Sequence, residues 1–304
     1  MRRRLWWAVA LSAAWLLAAP SRVEAQPTQL VILGTGTPNA DPERSGPALA
    51  VVRNGRSYLV DAGPGIVRRA AAASSRHDLP ALAPQNLRVL FLTHLHSDHT
   101  VGLPDVILSA WTLERPVPLE IYGPPGTREM VDHLLAAYSA DIRNRLDGAE
   151  PANDSGWRVN VHEITPGVVF DDGNVRVLAF AVPHGDWDIA FGYRFESADR
   201  SIVISGDTRA SDAVVAACNG CDLLAHEIYS AERWLTRPAE WQRYHARAHT
   251  STTELAALAQ RARPAHLVLY HQLYWGTDDL GLIGEIERAG YQGRLSAAQD
   301  LLIF

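Results

Sequence analysis

The sequence predicts a layered α/β fold in one domain, and three observations carry that expectation. Short apolar runs with strand character recur along the chain, helices with legible starts lie between them, and several runs end on a side chain that can hold a metal. Taken in order, Ala48 to Val52 and Ser57 to Val60 form a hairpin, because Arg53-Asn54-Gly55-Arg56 carries an Asn-Gly turn. Asp61-Ala62-Gly63-Pro64-Gly65 then opens a helix toward Arg69, and Ala70 to Pro84 is expected as a loop. Arg88 to Thr93 is built like a buried strand, and Leu103 to Trp111 like a helix that Asp98 is suited to open. Glu129 to Tyr138 is helical by pattern, whereas Asp141 to Gly156 is expected as a polar excursion. Strands follow at Val175 to Val182, Ser201 to Ser205 and His266 to Tyr270. Ser251-Thr252-Thr253-Glu254 is a capping box ahead of Leu255 to Arg261.

The chemistry concentrates in His94-Leu95-His96-Ser97-Asp98-His99, four metal-capable side chains within six residues at the end of an apolar strand. In extended chain positions 94, 96 and 98 point the same way, and a turn at Asp98 swings His99 toward a second metal. Three later strands end likewise, on Pro183-His184, on Gly206-Asp207-Thr208 and on His271. In a layered α/β protein such strand ends make a rigid floor for a site. Neutral imidazoles with a carboxylate suit zinc, a donor set that iron and manganese also accept.

Met1 to Ala25 has Arg2, Arg3 and Arg4, an apolar core from Leu5 to Ala19 and small residues at Val23-Glu24-Ala25, the pattern of a secretory leader. The expected division is therefore a signal peptide over 1–25 and a hydrolase domain over 26–304, periplasmic or secreted, with no membrane span once the leader is removed. The chain carries 28 Lys+Arg and 34 Asp+Glu; removing the leader takes four Arg and one Glu, leaving 24 against 33, a net of −9. Such a surface does not attract polyanions, so nucleic acid is disfavoured as a partner, with a homodimer left open; the small-molecule ester expected instead comes from the family resemblance below. The single pair Cys218-Asn219-Gly220-Cys221 favours a tight local disulfide over free thiols.

At these residues the chain resembles the metallo-β-lactamase superfamily, over nearly everything after the leader. Leu30 to Gly34, followed by Thr35-Gly36-Thr37-Pro38, is similar to the opening strand and glycine turn of its ribonuclease Z branch. The resemblance implies a four-layer αβ/βα sandwich with two mixed sheets. It also implies two divalent metal ions, one held by His94, His96 and His184 and the other by Asp98, His99 and His271, with Asp207 between them. In the same way Cys221 to Glu227 resembles the short strand whose glutamate pairs with the histidine here numbered His249. That makes Asp98, His249 and Glu227 the catalytic candidates: Asp98 to orient a metal-held hydroxide, His249 to protonate the leaving oxygen and Glu227 to hold its ring.

The branch's long RNA-gripping arm is missing, since only Gly185 to Gly206 separate His184 from Asp207. With export and negative charge, this makes the expected activity hydrolysis of small phosphodiesters or aryl sulfate esters, as in exported arylsulfatase-like relatives. The alternatives are a ribonuclease Z-type endonuclease that processes transfer-RNA 3′ ends, a lactone or thioester hydrolase, or an iron-dependent oxidoreductase on the same fold. Trp187, Tyr274 and Trp275, just beyond His184 and His271, are candidates for an aryl pocket, with packing as their commoner fate.

Overall fold

A computed structural model describes residues 27–304. The leader expected over Met1 to Ala25 lies outside the described residues. Two mixed sheets pack face to face. The first runs β1 (Gln29–Gly34), β2 (Ala48–Arg53), β3 (Arg56–Val60), β4 (Val89–Phe91), β5 (Leu119–Gly123) and β6 (Val159–Glu163), in that spatial order. The second holds β7 (Gly167–Asp171), β8 (Arg176–Val182), β9 (Ala190–Glu196), β10 (Ser201–Ile204), β11 (Leu223–Tyr229), β12 (Leu267–Leu273) and β13 (Leu295–Ala297), each beside the next.

Strand alternation sorts the side chains into layers. In β1, Leu30 and Ile32 face the other sheet, where they join Phe91, Phe191, Tyr193, Phe195 and Tyr270. Val31 and Leu33 face outward and pack with helices α1 (Ile66–His77), α3 (Leu103–Thr112) and α4 (Thr127–Ala137). The far side of the second sheet is covered by α6 (Asp212–Cys218), α9 (Thr252–Ala262) and α10 (Asp279–Arg288). These are the four layers of an αβ/βα sandwich. The chain end returns to the first sheet, where Leu30 and Phe304 exchange backbone hydrogen bonds at 2.9 Å.

The remaining helices are α2 (Ser97–Thr100), α5 (Ser139–Asp147), α7 (Ala231–Trp234) and α8 (Ala239–Ala248). Two segments expected to be irregular are helical. Ala70 to His77 continues α1, since Ala70 and Ala73 bury against the sheet and small residues let the helix approach it. Asp141 to Asp147 belongs to α5, where Arg145 reaches Asp141 one turn away and Glu150 beyond the helix end. Asp98 does not open the Leu103 helix; it lies in the first turn of the short α2, and Gly102 precedes α3. The Asn-Gly hairpin has both turn residues at positive φ, and the Ser251–Glu254 capping box forms in full. Cys218 and Cys221 form a disulfide between α6 and β11. No described helix is long and apolar enough to cross a membrane.

Arg115 is fully buried just after α3 and donates to the carbonyls of Leu87, Val106, Ile107 and Gly156 at 2.7–3.2 Å. It thereby ties α3 to the segments before β4 and β6. Burial pushes its pKa down to about 10, still well above neutrality. Arg115→Met strands several buried carbonyls, so it is expected to lower unfolding free energy by about 3 kcal/mol or more, measured by urea denaturation.

Candidate metal centre

The side chains singled out in the sequence meet at one end of the sandwich. His94 and His96 follow β4, His184 follows β8, Asp207 follows β10, and Glu227 and His271 lie within β11 and β12. The two carrying strands are out of step there: His226 pairs with Leu269 but Ile228 pairs with Gln272, so an extra residue is accommodated around His271, whose φ is +48°. A bulge of this kind re-aims a side chain at the end of a strand. The turn after β10 depends on Gly206, at φ +61°, where a Cβ would stand 2.4 Å from the Phe191 carbonyl oxygen.

Two groups result. Nε2 of His94 and Nε2 of His184 lie 2.9 and 3.1 Å from Nδ1 of His96. In the second group His271 Nε2 is 3.3 Å from Asp98 Oδ2 and 3.5 Å from Asp207 Oδ2, and His99 Nε2 is 3.4 Å from the same Asp207 oxygen. Asp207 Oδ2 also stands 4.0 Å from His184 Nε2, so the carboxylate lies between the groups. His249 Nδ1 is 3.3 Å from Glu227 Oε2 and 3.9 Å from Asp207.

The outward nitrogens define the tautomers. His184 Nδ1 donates to the Ala248 carbonyl at 2.7 Å, and His94 Nδ1 to Thr93 Oγ1 at 3.0 Å, whose own proton goes to Asp61. His99 Nδ1 donates to Asp61 Oδ2 at 2.8 Å. All three Nε2 lone pairs therefore face inward. Asp61 also accepts from the Thr93 backbone N–H at 2.8 Å, so one buried carboxylate shapes both ends of the His94–His99 loop. The sequence reading used Asp61 only as a turn residue. An aspartate leaving a strand in Asp-Ala-Gly-Pro-Gly, at φ +61°, was the available signal.

Buried polar atoms without partners test whether a cation suits this place. His99 Nε2 and Asp207 Oδ1 make no hydrogen bond, and three inward imidazole nitrogens crowd within hydrogen-bond distance. Burial pushes His94 well below the ordinary imidazole value and lowers His96 and His184 to about 4, so these ligand atoms are neutral at pH 7. Burial opposes charge on Asp207, but His271 and His99 hold it well below the ordinary carboxylate range. Burial likewise opposes charge on His99, but Asp207 and Asp61 hold it well above the usual value, so its Nε2 keeps a proton that a bound cation would displace to free the inward lone pair. The donor set fits divalent metal ions, with neutral nitrogen in one group and carboxylates in the other. Trp187 Nε1 donates to His96 Nε2 at 2.9 Å, which puts the His96 proton on Nδ1; a cation at Nδ1 would move that proton to Nε2 and release the indole.

Above the centre is a cavity of ≈ 610 Å³ bordered by His96, Asp98, Asp207, His249 and His271. Trp275 lines it, as do Arg237, Trp241 and Tyr244, which the sequence reading passed over. Tyr274 turns away, donating to Asp279 and lying 4.9 Å from the Arg44 guanidinium.

A family model described as beta-lactamase superfamily domain matches residues 56–272. Ribonuclease Z of Mycobacterium sp. (strain KMS) is 37% identical over 247 residues, spanning 81% of this chain and 84% of the relative. The metallo-β-lactamase fold protein YhfI from Bacillus subtilis superposes with TM-score 0.69 at 16% identity, covering 92% of this chain and all of that one. Human tRNase Z, short form, superposes with TM-score 0.66 at 24% identity, covering 91% and 98%. The fold and the site define a metal-dependent hydrolase of ester bonds, and the chain belongs to the metallo-β-lactamase superfamily. Within it, this is a ribonuclease Z-like member.

These relatives correct two expectations. The expectation of a hydrolase of small phosphodiesters or aryl sulfates is overturned, and so is the disfavouring of nucleic acid in favour of a small-molecule ester, because a relative matching four-fifths of the chain is a ribonuclease. Net charge misled because screening makes charge a local matter beyond about 8 Å. The stretch from α7 through α8, which borders the cavity, carries Arg233, Arg237, Arg243 and Arg247 against Glu232 and Glu240.

Asp61→Asn keeps the shape but removes the charge behind His99. It is expected to weaken divalent-metal binding by about 10–100-fold at both ligand groups, through His99 directly and through Thr93 and His94, measured by titration of the metal-free protein.

Proposed function

We propose that the protein is a ribonuclease Z-type endonuclease that hydrolyses a phosphodiester bond at an RNA 3′ extension, with a transfer-RNA precursor as the reference substrate. The observation that carries this reading is the His249–Glu227 pair beside Asp207: a proton donor on a fixed backbone, at the edge of a cavity whose floor is the two ligand groups. His94, His96 and His184 would hold one ion, Asp98, His99 and His271 the other, and Asp207 would be shared. Zinc suits this set best, since imidazole dominates it. Two such ions supply positive charge opposite the phosphoryl oxygens and an acidified attacking water.

The protein's own groups do the rest. Asp98 borders the cavity and is placed to orient the attacking water. Glu227 Oε1 accepts from the backbone N–H groups of Thr208 and Thr250 at 3.2 and 3.0 Å, which leaves Oε2 for His249. Burial raises the Glu227 pKa well above the ordinary value and lowers that of His249 to about 4, so burial favours the neutral form of each. With Nδ1 turned to Glu227, Nε2 of His249 is the nitrogen free to meet the departing ribose oxygen. That oxygen is a poor leaving group, so its protonation matters.

Removal of the Met1 to Ala25 leader and export remain a separate proposal, supported by the Cys218–Cys221 disulfide, which accords with an oxidising compartment. N-terminal sequencing of the mature protein, with a start near Gln26, tests it.

The activity is tested with a transfer-RNA precursor carrying a 3′ trailer. Cleavage at a single site is expected; none at micromolar enzyme with metals bound would overturn the reading. His249→Ala is expected to retain both metals and lower kcat on this RNA by about 10². Loss of metal together with activity would make His249 a ligand and leave the site without an identified acid.

A further inference from the structure

The cavity wall opposite the metal groups has a composition that the hydrolytic chemistry does not use. Trp241, Tyr244, His245 and Ala248 recur at i, i+3, i+4 and i+7 on one face of α8, and the first three of these line the cavity. Ala248 is buried, and its carbonyl is the acceptor that orients His184, so the helix end is fixed to the ligand set. The other end of this face is different: Trp241 is 47% exposed and Tyr244 39%, although both are large aromatics. Their rings stand at 88° with centroids 5.9 Å apart, making a corner of one face and one edge. Tyr244 lies 5.9 Å from the His249 ring, which places the corner next to the proposed proton donor. Arg237 lies beside it, 5.4 Å above the ring of Trp275. Its Nε is buried without a hydrogen-bond partner, and it makes no ion pair among the described residues.

An exposed aromatic corner beside an unpaired guanidinium, next to a site for phosphodiester hydrolysis, matches one ligand chemistry. Unpaired bases stack on aromatic faces and their phosphates seek arginine, whereas paired bases offer neither face. From this we infer that α8 is the wall against which an unpaired nucleobase next to the cleaved bond stacks, with Arg237 taking the adjoining phosphate. The cavity of ≈ 610 Å³ gives room for a base inside the mouth, and Trp241 and Tyr244 hold it in line with the ligand groups. This inference rests on the proposed ribonuclease activity and adds to it the residues that hold the base beside the cleaved bond: Trp241, Tyr244 and Arg237.

The test uses the full mature protein with metals bound and two RNAs. One is a stem with an unpaired 3′ extension; the other is identical but abasic at the two nucleotides flanking the cleaved bond. Wild type is expected to show a KM about 10-fold higher for the abasic RNA, in the range that single-base stacking supplies. Trp241→Ala should raise KM about 10-fold on the normal RNA and leave the abasic RNA unchanged, with kcat little altered, because His249 and the ligands are untouched. Trp241→Phe should restore most of the affinity, and melting temperatures identify any variant whose fold has suffered. Arg237→Gln should flatten the dependence of log KM on log salt by about 0.7, one phosphate contact on a single strand. Equal effects on both RNAs, or none, would overturn the stacking wall while leaving the ribonuclease reading intact. Failure of wild type to cleave either RNA would remove both.

Discussion

The carboxylate of Asp61 is the constraint on which the rest of the site depends. It sits at the end of β3 at φ +61°, buried, and accepts from the Thr93 backbone, the Thr93 hydroxyl and the His99 ring at once. Thr93 in turn accepts from His94, so one acidic group orients two imidazoles five residues apart and fixes the path between them. A buried carboxylate is tolerable only when it is saturated in this way. The saturation comes from the chain segment that carries four of the proposed ligands.

The same logic governs the far side of the centre. Asp207 is almost inaccessible, and no arginine among the described residues pairs with it; His271 and His99 supply what charge compensation there is. Placing Asp98 and Asp207 near one another with several inward imidazole lone pairs is costly in the absence of a cation. The surrounding core sets the cost against a large buried apolar area, from Leu30 and Phe91 to Tyr193 and Tyr270 between the sheets. The stiff sandwich therefore holds in place a cluster that would otherwise spread apart.

Reach into the solvent is handled by a different part of the chain. The ligands arise from strand ends, but the cavity above them is shaped by α8 and by Trp275 after β12, on connections that cross the second sheet's rim. The ligand groups are thus built on rigid elements, and the proposed recognition falls to the segments that lie over them. That division explains how a net-acidic chain and an RNA-cutting family coexist: the segment over the cavity has its own basic balance.

The sequence by itself determined the layered fold, the hairpin, the capping box and the set of residues that meet at the centre, because strand endings, turn chemistry and metal-capable spacings are local properties. It also held the resemblance that names the superfamily. It did not reveal Asp61, whose role depends on β3 and β4 lying side by side in parallel with their ends in register. Nor did it reveal the helical run of Ala70 to His77, since alanines and serines have no apolar stripe until a sheet lies beneath them. The wall of Trp241 and Tyr244 was equally hidden: those residues are ordinary surface aromatics in sequence. They face a cavity only because α8 is fixed at Ala248 to His184, sixty-four residues away, a contact that folding alone brings about.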